Sequence, residues 1–183
     1  MHSPKQDTVG MTEPTELVSL LDNDGTVIGT ADKLDVHTTE TPLHLAFSCH
    51  VFNAAGEVLV TRRALSKLTW PGVWTNSFCG HPAPGEPMED AVRRRAAAEL
   101  GIAIEDLSLV LPDFRYRAVD ASGIVENEVC PVYRATTRDA VVPNPDEVVE
   151  FEWVDPRSLR SAVAATPFAF SPWIVLQLEG WAY

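Results

Sequence analysis

Long apolar runs are missing from this chain of 183 residues. None reaches the ~18 residues a membrane helix needs. The first fourteen residues, MHSPKQDTVGMTEP, carry neither a basic stretch nor an apolar core, which excludes a secretory leader. Cysteine is scarce: Cys49, Cys79 and Cys130 are odd in number and far apart, which excludes a disulfide framework and a cysteine-only zinc knuckle. A reducing, cytoplasmic setting is expected. Positive charge is scarce too, with 14 Lys and Arg against 26 Asp and Glu and a formal net charge of −12. Such a surface repels nucleic acid and anionic membranes. Any anionic substrate must therefore be held by metal ions or by a local cluster of cations. There are no repeats, no low-complexity tracts and no linker. The expected organisation is a short tail over residues 1–15 followed by one domain over 16–183 with a sizeable core.

What is present reads mostly as strands. Glu16–Asp22 and Thr26–Thr30 form a hairpin about Asn23-Asp24-Gly25, and Ala31–His37 reads as a short helical piece. The segment HLAFSCHVFN, His44–Asn53, reads as one strand, turning at Asn53-Ala54-Ala55-Gly56 into Glu57–Arg62. Pro87–Leu100 is the clearest helix, with Glu89 and Asp90 in its first turn and Gly101 ending it. Further strands are expected at Leu107–Leu111, Phe114–Ala118, Ile124–Ala135 (one long strand) and Glu147–Val154, with helices over Pro156–Ala165 and after Ser171-Pro172. This is an α+β or α/β pattern, a mixed β-sheet sandwich with flanking helices.

Five histidines are present. His37 and His44 flank TTETPL, and His81 follows Cys79 by two residues. Glu126 and Glu128 share one face of a strand, where two acids repel unless a cation lies between them. Three imidazoles and two carboxylates suit a borderline divalent ion, although such spacing alone is weak. His50, inside a strand, reads as structural. The cations Arg62, Arg63 and Lys67, with Lys33, Arg115 and Arg117, offer a diphosphate clamp; each taken singly reads as an ordinary solvated side chain. Cys79 has two readings, a small buried residue near a turn or a reactive thiol beside a metal ligand.

From Gly80, Glu86 follows at +6, Arg94 at +14, Glu99 at +19 and Gly101 at +21. This resembles the Nudix box, a loop–helix–loop that presents glutamates to a metal-bound diphosphate. In RRAAAELGI, Arg94, Ala96, Glu99, Gly101 and Ile102 fit, but Arg95 and Ala98 stand where glutamates belong. Diphosphate hydrolysis needs several carboxylates to gather metals and activate water. The residues thus predict that diphosphate binding is kept and cleavage lost. The competing reading is a surface salt bridge between Arg95 and Glu99, worth ~0.3–0.5 kcal/mol.

Over about Leu17 to Trp173 the segments HTTETPLHLAF, LVTRRALSK, WPGVWTNSFCGHP, LPDFRYRAVD, SGIVENEVCPV and ATPFAFSPW resemble the type I isopentenyl-diphosphate isomerases, which have the Nudix fold. The resemblance implies conversion of isopentenyl to dimethylallyl diphosphate through a carbocation-like intermediate, with a small allylic or homoallylic diphosphate as substrate; no residue pattern suggests an obligate partner, and a monomer is expected. It assigns proton handling to Cys79 and Glu128, positioning of that glutamate to Tyr116, and a cation-facing π surface to Trp173. It implies one divalent metal, Mn²⁺ or Zn²⁺, on His37, His44, His81, Glu126 and Glu128. It also implies Mg²⁺ on Glu99, the Cys79 carbonyl and the diphosphate, with Lys33, Arg63, Lys67 and Arg95 on the phosphates. Trp173 has a plainer reading as a core residue. The short stretch after Trp173 predicts incomplete lid closure, and Cys49 is expected to pack on the opposite face from His44, Ala46 and Ser48 and to be inert. Two alternatives stand beside the isomerase: a Nudix pyrophosphohydrolase and a non-catalytic diphosphate- or metal-binding module.

Overall fold

The structure is a computed structural model that describes residues 16–181 and 183. The tail expected over residues 1–15 lies outside the described residues. In chain order the elements are β1 (Leu17–Leu21), β2 (Val27–Asp32), β3 (His44–Leu45), β4 (Phe47–Phe52), β5 (Val58–Arg63), β6 (Trp74–Thr75), β7 (Phe78–Gly80) and α1 (Met88–Leu100). After α1 come β8 (Glu105–Leu111), β9 (Arg115–Val119), β10 (Val125–Val129), β11 (Val132–Thr136), β12 (Val148–Val154), α2 (Pro156–Ala165) and α3 (Pro172–Gly180). They form a five-stranded sheet, β2-β1-β3-β10-β9, and a seven-stranded one built on β12-β5-β4-β11-β8 with β6 on β5 and β7 on β4.

Three expectations about elements are corrected. Ala31–His37 is not helical: β2 runs through Asp32, and the Asp32 side chain caps a turn by accepting from Leu34 N at 2.9 Å. Such local side-chain bonds compete with helix. HLAFSCHVFN breaks at Ala46, and IVENEVCPVYRA breaks at Cys130-Pro131, where proline cannot donate to a ladder. Each break moves its chain from the five-stranded sheet to the seven-stranded one. The two chains cross together, because Glu128 pairs with His44 in parallel before the break and Val132 with Ser48 after it.

Every residue of β4 is buried, since both faces of the larger sheet are covered. On one face Phe47, Cys49 and Val51 pack with Ala91, Val92, Ala96 and Leu100 of α1. On the other, Phe52, Val58 and Val60 pack with Leu159 and Val163 of α2 and Ile174 and Leu178 of α3. Cys49 is thus packed away as expected, while Ser48 and His50 face α3. Helix α1 ends as expected at Gly101, whose φ of 66° suits glycine. Pro87 caps the helix rather than opening it, a shift of one residue.

His50 is fully buried, and its Nε2 lies 2.9 Å from Gln177 Oε1 and its Nδ1 2.9 Å from the Tyr183 hydroxyl. Burial lowers its pKa from 6.5 to about 4, so the imidazole is neutral in the fold. An unfolded chain takes up that proton near pH 6.5, and the fold does not until about pH 4. In between, the unfolded state binds more protons, so stability is full above pH 6.5 and declines as pH falls, by ~3 kcal/mol. Unfolding free energies measured in urea from pH 7 to 4 should fall more steeply for the natural protein than for His50→Gln. Parallel curves would show that His50 contributes nothing to acid sensitivity.

Candidate active site

The site lies at the seam where the two chains change sheets. A cavity of about 380 Å³ opens there, and every site residue expected from the sequence except His44 lines it: Lys33, His37, Arg63, Lys67, Cys79, His81, Arg95, Glu99, Tyr116, Glu126, Glu128 and Trp173. His44 is wholly buried behind them. Arg62, Arg115 and Arg117 do not line this cavity. Arg62 is bonded to the Gly72 carbonyl and Glu150, and Arg115 reaches toward Asn23.

His37, His44, His81 and Glu128 bring one ligand atom each to within 4.8 Å of one another. His44 Nδ1 lies 3.0 Å from the Pro42 carbonyl. A carbonyl only accepts, so Nδ1 carries the hydrogen and Nε2 turns its lone pair inward. That lone pair faces His81 Nε2 at 3.2 Å, and Glu128 Oε1 is 3.4 Å from His44 Nε2 and 3.2 Å from His81 Nε2. His37 Nε2 and Glu126 Oε2 are 3.0 Å apart yet are buried without hydrogen-bond partners of good geometry. Orphaned atoms of this kind cost stability unless a cation satisfies them. The donor set, imidazole and carboxylate, fits a divalent transition ion. Thr69 Oγ1 fixes Glu126 by donating to Oε1 at 2.6 Å.

Burial by itself would raise Glu128, but hydrogen bonds and charge from His44 and His81 in their protonated forms, where Nε2 also carries a hydrogen, hold it well below the usual carboxylate range. Cys79 moves the other way. Burial pushes its thiol up to about 12, so it is protonated at neutral pH. Ser48 is its partner across the β4–β7 ladder, and Ser48 Oγ lies 3.1 Å from Cys79 Sγ. The thiol donates to Asn76 Oδ1 at 3.3 Å, and the same oxygen accepts from Trp173 Nε1 at 3.0 Å. Asn76 therefore ties the thiol to the indole. Trp173 meets Trp70 and Tyr116 with ring centres 5.5 and 5.8 Å away, and Arg63 Cζ stands 5.3 Å from its ring centre. Tyr116 is the cross-strand neighbour of Glu128, but among the described residues it makes no hydrogen bond to it.

The cations are already engaged. Helix spacing places Ala91, Arg95 and Glu99 in one row on the buried face of α1. Arg95 Nε donates to Glu99 Oε1 at 2.8 Å, and Arg95 Nη2 also reaches Glu147 Oε1 at 3.3 Å. The surface salt bridge expected as the alternative is thus a buried one, with the two residues 8% and 6% exposed. Burial raises the Glu99 carboxyl above its ordinary value, and Arg95 opposes that. Lys67 pairs with Glu147 and Lys33 with Glu16. Arg63 spends its Nε and Nη2 on the carbonyls of Thr69 and Trp70, bracing the 65–72 loop. A side chain at Gly80 would bring a Cβ within 2.9 Å of Arg95 Cγ and Phe47 Cζ, so this glycine lets α1 lie close to β7. Glu86 is structural. It grips Arg94 through two bonds of 2.8 and 2.7 Å and accepts from Ala83 N, which holds the loop carrying His81.

Sequence reasoning missed Ser48, Thr69, Asn76 and Glu147. Asn76 stood inside the motif NSFCGHP and Thr69 just beyond LVTRRALSK, so both were within reach. Nothing local marked Ser48 or Glu147.

A fold of this topology, with one loop–helix–loop beside a cluster of divalent-ion donors, is that of the Nudix class, and the NUDIX domain family matches residues 42–174. A protein titled DR0079 from Deinococcus radiodurans shares the fold at TM-score 0.70 and 23% identity, over 92% of this chain and 99% of that one. A MutT protein from Methanosarcina mazei does so at TM-score 0.59 and 18% identity, over 76% and 92%. At these identities the likeness is one of fold. Curated relatives are far nearer in sequence. Proteins named isopentenyl-diphosphate Delta-isomerase are 67% identical in Clavibacter michiganensis subsp. michiganensis, over 92% of this chain and 87% of the relative, and 65% identical in Leifsonia xyli subsp. xyli, over 92% of each. The chain belongs to the isopentenyl-diphosphate Delta-isomerase family of Nudix-fold enzymes.

If the histidine cluster holds a divalent ion, adding Mn²⁺ or Zn²⁺ to chelator-treated protein should raise its unfolding free energy by ~2.7 kcal/mol at a hundredfold excess over Kd. A His81→Ala variant should lose most of that gain. Equal thermal shifts in both proteins would exclude the cluster as the binding site.

Proposed function

We propose that this protein interconverts isopentenyl and dimethylallyl diphosphate by adding a proton to the alkene on one face and removing one on the other. Cys79 and Glu128 handle the two protons. The observation that carries this reading is the meeting, in one cavity, of a half-buried protonated thiol and an ionised carboxylate beside four cations. The divergent protonation states match a site that must both give and take a proton at one pH. The α1 sequence bears on the reaction type: with Arg95 and Ala98 where a hydrolase needs acids, Glu99 is left alone to meet a diphosphate-bound metal.

The remaining residues take supporting roles. Trp173, anchored by Asn76, forms an apolar wall with Trp70 and Tyr116 that excludes water from a tertiary carbocation. Its π face stabilises that charge by ~2 kcal/mol when desolvated, although Arg63 already places a fixed positive charge near the ring. Tyr116, beside Glu128 across the ladder, positions that carboxylate once substrate is present. Lys33, Arg63, Lys67 and Arg95 hold the diphosphate. The cofactors of this reading are Mn²⁺ or Zn²⁺ at His37, His44, His81, Glu126 and Glu128, and Mg²⁺ with the diphosphate at Glu99, whose Oε2 takes no hydrogen bond among the described residues. Bound there, the ions supply positive charge that orients Glu128 and neutralises the substrate. Three free cysteines suit a cytoplasmic setting, and the reading requires no second subunit.

Incubation of the protein with isopentenyl diphosphate and Mg²⁺ in D₂O should yield deuterated dimethylallyl diphosphate by proton NMR, with the diphosphate intact by phosphorus NMR. Cys79→Ala and Glu128→Gln should each lower turnover at least ~100-fold. Release of phosphate without a double-bond shift would replace the isomerase with a pyrophosphohydrolase. Binding without any reaction would make the protein a diphosphate-binding module.

Arg95 permits a separate check. Loss of a charge-assisted contact worth ~1.5–3 kcal/mol should raise KM at least ~10-fold in Arg95→Gln, with thermal denaturation confirming that the variant is folded. An unchanged KM would remove Arg95 from the phosphate site.

A further inference from the structure

A continuous line of hydrogen bonds, buried through its middle, leads from Tyr183 to the Cys79 sulfur. The Tyr183 hydroxyl lies 2.9 Å from His50 Nδ1, and His50 Nε2 lies 2.9 Å from Gln177 Oε1. Gln177 Nε2 donates to Ser48 Oγ at 2.9 Å, and Ser48 Oγ lies 3.1 Å from Cys79 Sγ and 3.4 Å from Cys130 Sγ. Ser48, His50 and Gln177 are each 0% exposed. A hydrophobic helix packed on a β-sheet has no structural need for such a line, because apolar residues of similar volume would fill the space without any polar group to satisfy.

The direction of every hydrogen in the line follows from one residue. Asn76 Nδ2 donates to the Cys49 and Phe78 carbonyls at 3.1 and 2.8 Å, so its oxygen must face Cys79. A carbonyl oxygen only accepts, so the Cys79 hydrogen points to Asn76. The Ser48 hydroxyl then donates to sulfur, and must accept from Gln177. Gln177 therefore turns its NH₂ to Ser48 and its oxygen to His50. His50 carries its hydrogen on Nε2, and Tyr183 donates to Nδ1. All five bonds point the same way, and two of them fix the sulfur from two sides, by Ser48 and by Asn76.

We infer that Ser48, Gln177, His50 and Tyr183 are positioning residues for the reaction, acting through one polarised hydrogen-bond line that holds the Cys79 thiol in a single orientation toward the cavity. The inference rests on Cys79 being a proton-handling group. Helix α3 carries both Trp173 and Gln177, one turn apart on one face, so the element that presents the aromatic wall also orients the thiol.

The test is steady-state kinetics on the metal-loaded enzyme with isopentenyl diphosphate. Ser48→Ala and Gln177→Met should each lower kcat about tenfold, with KM changed less than twofold. The double variant should be no slower than the slower single one, because either change breaks the same line. Tyr183→Phe, which removes one oxygen from a residue at the line's far end, should lower kcat a few-fold and leave the thermal midpoint within ~1 °C. Losses that multiply in the double variant, losses in KM alone, or an unchanged kcat in Ser48→Ala would overturn the inference. Cys79→Ala is measured in parallel. If it is inactive while Ser48→Ala is fully active, the line alone fails; if it retains full turnover, the assignment of the proton to Cys79 fails.

Discussion

Two parallel chain segments must change sheets without losing their register, and the site depends on that constraint. His44 pairs with Glu128 on one side of the crossing and Ser48 with Val132 on the other. Ala46 N bonds the Val129 carbonyl and Ser48 N the Pro131 carbonyl at 2.9 and 3.1 Å, which carries the pairing through the bend. A bend in one strand alone would leave unpaired backbone groups in the interior. Because both bend, the sheets splay apart and open a cavity while the backbone stays satisfied. Metal donors are left on the near side and the Ser48–Cys79 pair on the far side, close enough to share one substrate.

A chain of net charge −12 must still receive an anion here. The cations at the cavity are stored as ion pairs: Arg95 with Glu99 and Glu147, Lys67 with Glu147, and Lys33 with Glu16. An isolated guanidinium buried as deeply as Arg95 would be costly, and an acid beside it offsets part of that cost. The same acids are the groups that could take a divalent ion. On the proposed reading, substrate and metal arriving together would exchange partners with the pair, metal to Glu99 and phosphate to Arg95, so that neither residue is left unpaired. That is the physical sense of an arginine where a hydrolase carries a glutamate. It gives the helix one acid and one cation in place of several acids, which on the proposed reading suits binding of a metal diphosphate without its cleavage.

Sequence reading recovered what is local or repeated in short motifs. Helix α1 was legible from Glu89, Asp90 and Gly101, and the burial of Cys49 from strand alternation. The histidines and carboxylates were legible as possible donors, and the fold groups His37, His44, His81 and Glu128, with Glu126 beside His37. What failed to show was tertiary. HLAFSCHVFN has no internal breaker, so the crossing at Ala46 was invisible, while Pro131 was a signal that went unused. Ala31–His37 looked helical, yet Asp32 prefers to cap a turn. Ser48 became visible only through its register opposite Cys79, and Gln177 only through the packing of α3 against β4. Residues that position others carry no motif of their own, because their role is set by what the fold lays beside them.

Dryness and polarity are in tension in such a cavity. A carbocation survives only where water is kept out, which calls for buried aromatic walls. A thiol, a carboxylate and three imidazoles in the same space each lose hydration on burial. The fold meets both demands by connecting the polar groups to one another. Asn76 satisfies both Cys79 and Trp173, Thr69 satisfies Glu126, and Pro42 satisfies His44. Among the described residues the wholly buried side-chain atoms left without a partner are His37 Nε2 and Glu126 Oε2. A satisfied network is rigid, since moving any member breaks a bond to its neighbour. On the proposed reading, the rigidity of these connections is also what aims Cys79 and Glu128 at the substrate.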